Sequence, residues 1–168
     1  MKAALAAGTS PDPEFIEILV AQCGHEPDFF VRDTLSWALM RHDVKKVVKR
    51  LESELHSSNP QAKSQAIHTL SKIGDKANYP LITDEMLFDP DLFIASTAWR
   101  VATVLVPEDQ RSSLTKKLIT QLGRGDSDTQ FGLSRFLCDL GEYIVEPLTE
   151  ASKSADETIS NQAKFTLL

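Results

Sequence analysis

Residues 59–75 read NPQAKSQAIHTLSKIGD, and the spacing inside this stretch decides how the chain folds. Asn59 offers a short polar side chain that can accept from the first free amides of a helix. Pro60 then fills a position where a missing N–H costs nothing. Ala62, Ala66, Leu70 and Ile73 follow at intervals of three and four, the period of one helical face. Gly74 supplies the stop, because a left-handed closing residue is easiest for glycine. The stretch predicts one amphipathic helix bounded at both ends.

Outward from it, the pattern returns in both directions. With Val31, Ala62, Ile94, Thr129 and Ile159 set as equivalent, the intervals are 31, 32, 35 and 30 residues. Four positions on stand Leu35, Ala66, Ala98, Leu133 and Ala163, and eight on stand Leu39, Leu70, Ala102, Leu137 and Leu167. Period-two alternation is scarce, so the chain is predicted all-α, with roughly ten helices cut by breakers such as Gly24 to Pro27, Ser57 to Pro60, Phe88 to Pro90, Val106-Pro107 and Gly123 to Asp126. Several cuts join a helix stop to an N-cap, which folds neighbouring helices back as antiparallel pairs. A helical pair repeated at such an interval implies units that bury their faces against one another.

These residues resemble HEAT repeats, whose second helix usually reads Asp-Pro-x-Val-Arg-x-x-Ala-x-x-Ala-Leu before a glycine. Asn59-Pro60-Gln61-Ala62-Lys63-Ser64-Gln65-Ala66, running on to Leu70 and Ile73-Gly74-Asp75, is the nearest match; Val31-Arg32 keeps the Val-Arg pair and Leu140-Gly141 a closing glycine. The resemblance implies an all-α, right-handed α-solenoid of about five HEAT-like helical hairpins. The expected organisation is a flexible leader over 1–11 and a single repeat domain over 12–168, with units near 12–42, 43–75, 76–106, 107–141 and 142–168. The third unit departs most, with Ala95 at the Arg position and a Val106-Pro107 ending. Such solenoids serve as adaptors and scaffolds and occasionally as enzymes, so the resemblance speaks to architecture more than to activity.

In this resemblance the second helices line the concave side. Residues two, five, six and nine after each register position share one face. That face collects Asp33, Trp37, His68, Trp99, Arg100 and Arg135 among small polar residues. Aromatic and Arg side chains dominate binding hot spots, and Trp37, Trp99, Arg100 and Arg135 are expected to carry most of the affinity for a protein or peptide partner. The competing expectation places the two tryptophans between helices as core. Pro27 and Pro90 open related segments two repeats apart, yet Trp37 aligns with Arg100, and Trp99 with Ser36, an offset of one helical step.

A second cluster, Lys45, Lys46, Lys49 and Arg50, forms a basic stripe beside Val44, Val47, Val48 and Leu51. A solvated outer face is its default meaning, ahead of a site for phosphate or an acidic partner. The net charge of −6 is uneven, at −2 over 1–56, +1 over 57–125 and −5 over 126–168. An acidic C-terminal third disfavours nucleic acid and anionic membrane there, since phosphate binding depends on Lys and Arg.

No catalytic set, metal-ligand spacing or nucleotide loop is present, and no cofactor is expected. Cys23 and Cys138 fit no disulfide or ligand framework, which suggests a cytoplasmic protein. Cys23-Gly24-His25 places a thiol near an imidazole without a third partner, and His42, His56 and His68 fall on separate helices. Arg124-Gly125-Asp126 spells an adhesion tripeptide, but its residues suit a helix stop and the next N-cap. The enzyme alternative is a HEAT-like alkylpurine DNA glycosylase, which would use aromatic residues and a carboxylate on a basic concave face; the acidity of this chain argues against it. The primary expectation is thus a non-catalytic scaffold or adaptor, away from membranes, with nucleic acid a less favoured partner. The uncapped end at Phe165 to Leu168 is expected either to continue or to pack against another chain.

Overall fold

The computed structural model describes residues 1–168 as eleven α-helices and three short 3-10 segments, with no strand. The chain is all-helical. It divides into two compact units, residues 1–75 and 76–168, and the division falls at an expected repeat boundary.

The first unit comprises α1 (Lys2–Thr9), α2 (Phe15–Cys23), α3 (Phe29–Met40), α4 (Val44–Glu54) and α5 (Pro60–Ile73). Each of the last three starts on a short polar cap. Asp28 accepts from the amides of Phe30 and Val31, Asp43 from Lys45 and Lys46, and Asn59 from Gln61 and Ala62. Helix α5 stops at Gly74, whose φ of 71° is the left-handed value anticipated from its place after Ile73. Leu35, Leu39, Val47, Leu51, Ala66 and Leu70 close the core.

Within residues 1–11, expected as a flexible leader, the structure has helix α1. Helix α1 packs on α3 with Ala4 and Gly8 buried. Gly8 lies against the Trp37 ring, so close that a Cβ there would collide with Cζ3. The weak Ala-rich run is apolar enough to dock only because a partner indole accepts a helix without side chains at the contact, and that indole is distant in sequence.

The second unit comprises α6 (Asp84–Leu87), α7 (Leu92–Leu105), α8 (Arg111–Ile119), α9 (Ser127–Cys138), α10 (Val145–Ala151) and α11 (Glu157–Thr166), with 3-10 segments at Lys76–Leu81, Glu108–Gln110 and Gly141–Ile144. Asp91, Asp126 and Asp156 cap α7, α9 and α11. Over residues 76–87, Pro80 lies inside a 3-10 segment and only the four residues of α6 follow as α-helix. Ala98, Ala102, Leu114, Leu118, Leu133, Leu137 and Leu148 are buried.

Within each unit, polar contacts join residues about one repeat apart. In the first, Arg50 pairs with Glu17, and Gln61 Nε2 donates to the carbonyls of Cys23 (3.0 Å) and Glu26 (2.8 Å). In the second, Lys117 Nζ reaches Asp84 at 2.6 Å, Arg124 donates to the Asp89 carbonyl at 2.9 Å and Tyr143 to Glu108 at 2.9 Å. These bonds satisfy turn carbonyls and side chains of one hairpin with donors from the next, fixing the register between them.

Candidate binding surface

The side chains at the face positions divide by burial. Five residues after the register position, Ser36, Ile67, Trp99 and Ser134 are buried and Lys164 is exposed; six after, Trp37, His68, Arg100, Arg135 and Phe165 reach the surface to differing degrees. One residue is 100° around a helix, enough to cross from core to rim. Trp99 is therefore not a groove residue, as the concave-face assignment has it, because it has 0% exposure. Its indole N–H donates to the Leu87 carbonyl at 2.8 Å, and the Arg124 guanidinium lies 5.8 Å from its ring centroid. A buried indole needs a partner for its N–H, and α6 supplies it. Trp37 is 36% exposed, with part of its ring covered by α1.

In the first unit, Asp33 forms an ion pair with Lys72 of α5, so the carboxylate already has a cation. His68 is half-buried. The basic stripe on α4 is smaller than its sequence suggests. Arg50 is held by Glu17 and by Glu54 at 2.9 Å, and the Glu17 hydrogen bond pushes its pKa further up. Its charge is neutralised, which leaves Lys45, Lys46 and Lys49 as the exposed cations.

The second unit gathers the larger set. Arg100 lines a cavity of about 340 Å³ with Ser96 and Thr97 of its own helix and Asp128 and Thr129 of α9. Its burial lowers the guanidinium pKa from the ordinary Arg value. A neighbouring cavity of about 430 Å³ is bordered by Phe131 and Phe165, each 53% exposed, with ring centroids 6.0 Å apart and planes tilted by 47°. Arg135 is exposed one turn along α9 from Phe131. Phe131 and Phe165 stand on the face defined by the repeat spacing, although emphasis on Trp and Arg passes them over.

A buried polar arrangement also escapes residue-by-residue inspection. In the first unit Gln65 Nε2 donates to Ser36 Oγ at 2.8 Å, and the Ser36 and Thr69 hydroxyl oxygens are 3.2 Å apart. In the second, Gln162 Nε2 lies 3.3 Å from Ser134 Oγ, and the Ser134 and Thr166 oxygens are 2.8 Å apart. In the repeat register these are the same three positions: Ser five residues on in one second helix, Gln three on and Thr seven on in the next. Gln-x-x-x-Thr recurring at one register is the signal that could have found them.

The remaining chemistry-bearing groups do not converge. Cys23 is buried, which pushes its thiol up to about 12, whereas Cys138 is exposed. Arg124, Gly125 and Asp126 serve the fold: Arg124 is bonded to Gln121 and Asp89, and Asp126 accepts from the Thr129 amide and hydroxyl. No group of three or more His, Cys, Asp or Glu side chains is placed to hold a metal ion. No helix is long and apolar enough to cross a membrane.

No protein-family model matches the chain, and no curated protein matches it. Among solved structures it is similar to the crystal structure of an engineered protein, a Northeast Structural Genomics Consortium target. The two share 17% identity over 99% of this chain and 87% of the other, with a TM-score of 0.55. At that identity the likeness is one of fold alone.

Proposed function

We propose that the chain is a HEAT-like helical-repeat scaffold that binds a protein or peptide, in the cytoplasm, through the second helices of its hairpins. The repeat interval in the sequence and the polar contacts joining successive hairpins within each unit support the solenoid reading. The observation that carries the binding reading is the exposed Phe131–Phe165 pair beside Arg135, with the Arg100 cavity between α7 and α9. Two half-exposed aromatic rings lose little entropy on binding, and an Arg beside them can take a carboxylate in two hydrogen bonds. Trp37, Asp33 and His68 remain the candidate contacts of the first unit. The exposed Leu167 and Leu168 extend the apolar surface beside Phe165 and suit packing against another chain.

No observation favours the glycosylase alternative. With Trp99 in the core and Asp33 paired with Lys72, an aromatic and a carboxylate it would use are already engaged.

The test is affinity capture from the source cell by the chain and by its Phe131→Ala/Arg135→Ala variant, with captured proteins identified by mass spectrometry. A partner retained by the parent and reduced at least tenfold with the variant is expected, as for hot-spot residues. Equal capture by both, with the variant folded, removes this surface.

A further inference from the structure

The first unit carries an apolar feature away from the second-helix face. Between α1 and α2 lies a groove of about 720 Å³. Ala3, Ala6, Ala7 and Ser10 form one wall. Phe15, Ile18, Leu19 and Gln22 form the other, over a floor of Val31 and Leu35. Both walls follow the spacing i, i+3, i+4, i+7, so each is a single helical face turned to the same trough. Helices α1 and α2 both pack on α3, which holds the walls in place. Ile18 is 65% exposed there, a large apolar side chain left to water.

This geometry suits a third helix. A helix presents anchors at the spacing of the walls, and the short side chains of α1 let its backbone approach closely. The walls are eight and nine residues long, about 12–14 Å at 1.5 Å per residue, which accommodates between two and three turns. The charge around the groove selects the occupant further. Residues 1–32 contain Asp12, Glu14, Glu17, Glu26 and Asp28 against Lys2 and Arg32, whose guanidinium donates to the Glu26 carbonyl at 2.8 Å. Glu17 is engaged by Arg50; Glu26 lines the groove, its carboxylate accepting from the Asp28 amide and the Gln22 side chain without an ion pair, and Asp12 and Glu14 lie in the connection between the walls.

We propose that the α1–α2 groove docks an amphipathic helix of a partner protein, with aliphatic anchors at i, i+3 or i+4, and i+7 and basic residues on its flanks. This site is independent of the Phe131–Arg135 surface, and the variants separate the two. A helix in the trough would cover Ile18 and Phe15, and its Lys or Arg side chains would meet Glu26.

The probe is a fluorescein-labelled synthetic peptide of about 14 residues, Leu at the anchor positions, Lys on the flanks and Ala elsewhere, titrated with the full chain at low salt and at about 0.5 M. Expected are micromolar binding that weakens with salt, a gain of helical circular dichroism, at least tenfold loss with Ile18→Glu and a few-fold loss with Glu26→Gln. Ile18 is exposed, so its variant should melt as the parent does. Phe131→Ala/Arg135→Ala should bind the peptide normally, whatever its effect on captured partners. Equal binding of a Glu-flanked peptide, or indifference to Ile18→Glu, overturns the proposal. So does dodecylamine binding that matches the peptide in affinity and in sensitivity to Ile18→Glu, which would mark a site for small amphiphiles. Self-association lost with Ile18→Glu would assign the groove to a second copy and likewise overturn it.

Discussion

Ser36 Oγ lies 3.2 Å from Thr69 Oγ1 inside the first unit, with the Gln65 amide completing the group. Buried hydroxyls are tolerable only when their bonds are made; the Thr69 hydroxyl keeps its bond to the Gln65 carbonyl at 2.8 Å, but removing Ser36 takes the acceptor from the Gln65 side-chain amide. Ser36→Ala is expected to cost about 1–3 kcal/mol in urea unfolding. Replacing all three with apolar residues of similar shape should recover much of that loss, because no unmet donor remains. A triple variant as unstable as Ser36→Ala would contradict this account.

Trp99 and Trp37 should behave as opposite reporters. Iodide should quench the emission of the Trp99→Phe protein, whose remaining indole is partly exposed, and leave that of Trp37→Phe nearly untouched. Trp99→Ala removes a fully buried ring and should destabilise by about 3–5 kcal/mol in denaturant unfolding. Similar quenching of both single-tryptophan proteins would count against the one-step difference in burial.

Gly8→Val tests the docking of α1. The added side chain meets the Trp37 ring, and overpacking of this kind costs about 1–3 kcal/mol. A helix of eight residues has little stability without its support. The expected outcome is faster proteolysis within residues 1–14 and a red shift of Trp37 emission, with the far-UV spectrum otherwise retained. Unchanged proteolysis would show that the Gly8 contact does not hold α1 down.

The two cysteines should differ in reactivity. A thiol held at about 12 by burial is protonated at neutral pH, and only the thiolate attacks. A disulfide reagent at pH 8 should label one thiol per folded chain, lost in Cys138→Ser, and two per unfolded chain. Since the folded Cys23 value is raised above the ordinary thiol value of 9.0, its contribution to stability is full below about pH 9 and lost as pH rises toward about 12. Rapid labelling of two thiols in the folded chain would contradict the burial of Cys23.

The Glu17–Arg50 pair gives an acid-side test. The Arg50 hydrogen bond lowers the Glu17 pKa below 4.5, so its contribution is present above that pH and disappears as pH falls through the lowered folded value. Exposure of Glu17 and screening keep the effect to about 1 kcal/mol or less. Glu17→Gln should flatten the slope of melting temperature against pH in the acid range. An unchanged slope would assign it to other carboxylates.

Much of the architecture was legible along the chain because it depends on local rules. Asn59-Pro60 starts α5 and Gly74 stops it for reasons contained within a few residues, while Ala66 and Leu70 reveal their inward face by spacing alone. The same spacing brings Phe131 and Phe165 onto equivalent helical faces. Periodicity cannot show how far around a helix the core extends. Trp37 and Trp99 are separated by one step of the register, and packing decides the difference: Leu87 and Arg124 enclose the indole of Trp99, while Trp37 is left at the surface for α1 to cover in part. Nor could the composition of residues 1–11 reveal a docked helix, because its stability comes from a surface formed only when α3 folds. The sequence by itself determined helix class, the boundaries of capped helices such as α5, and the repeat interval, since capping, turn chemistry and 3.6-residue periodicity are short-range. Tertiary structure alone decided which aromatics are covered, which charges are neutralised and where grooves remain open, because each depends on atoms of different helices, about a dozen to about forty residues apart, meeting in space.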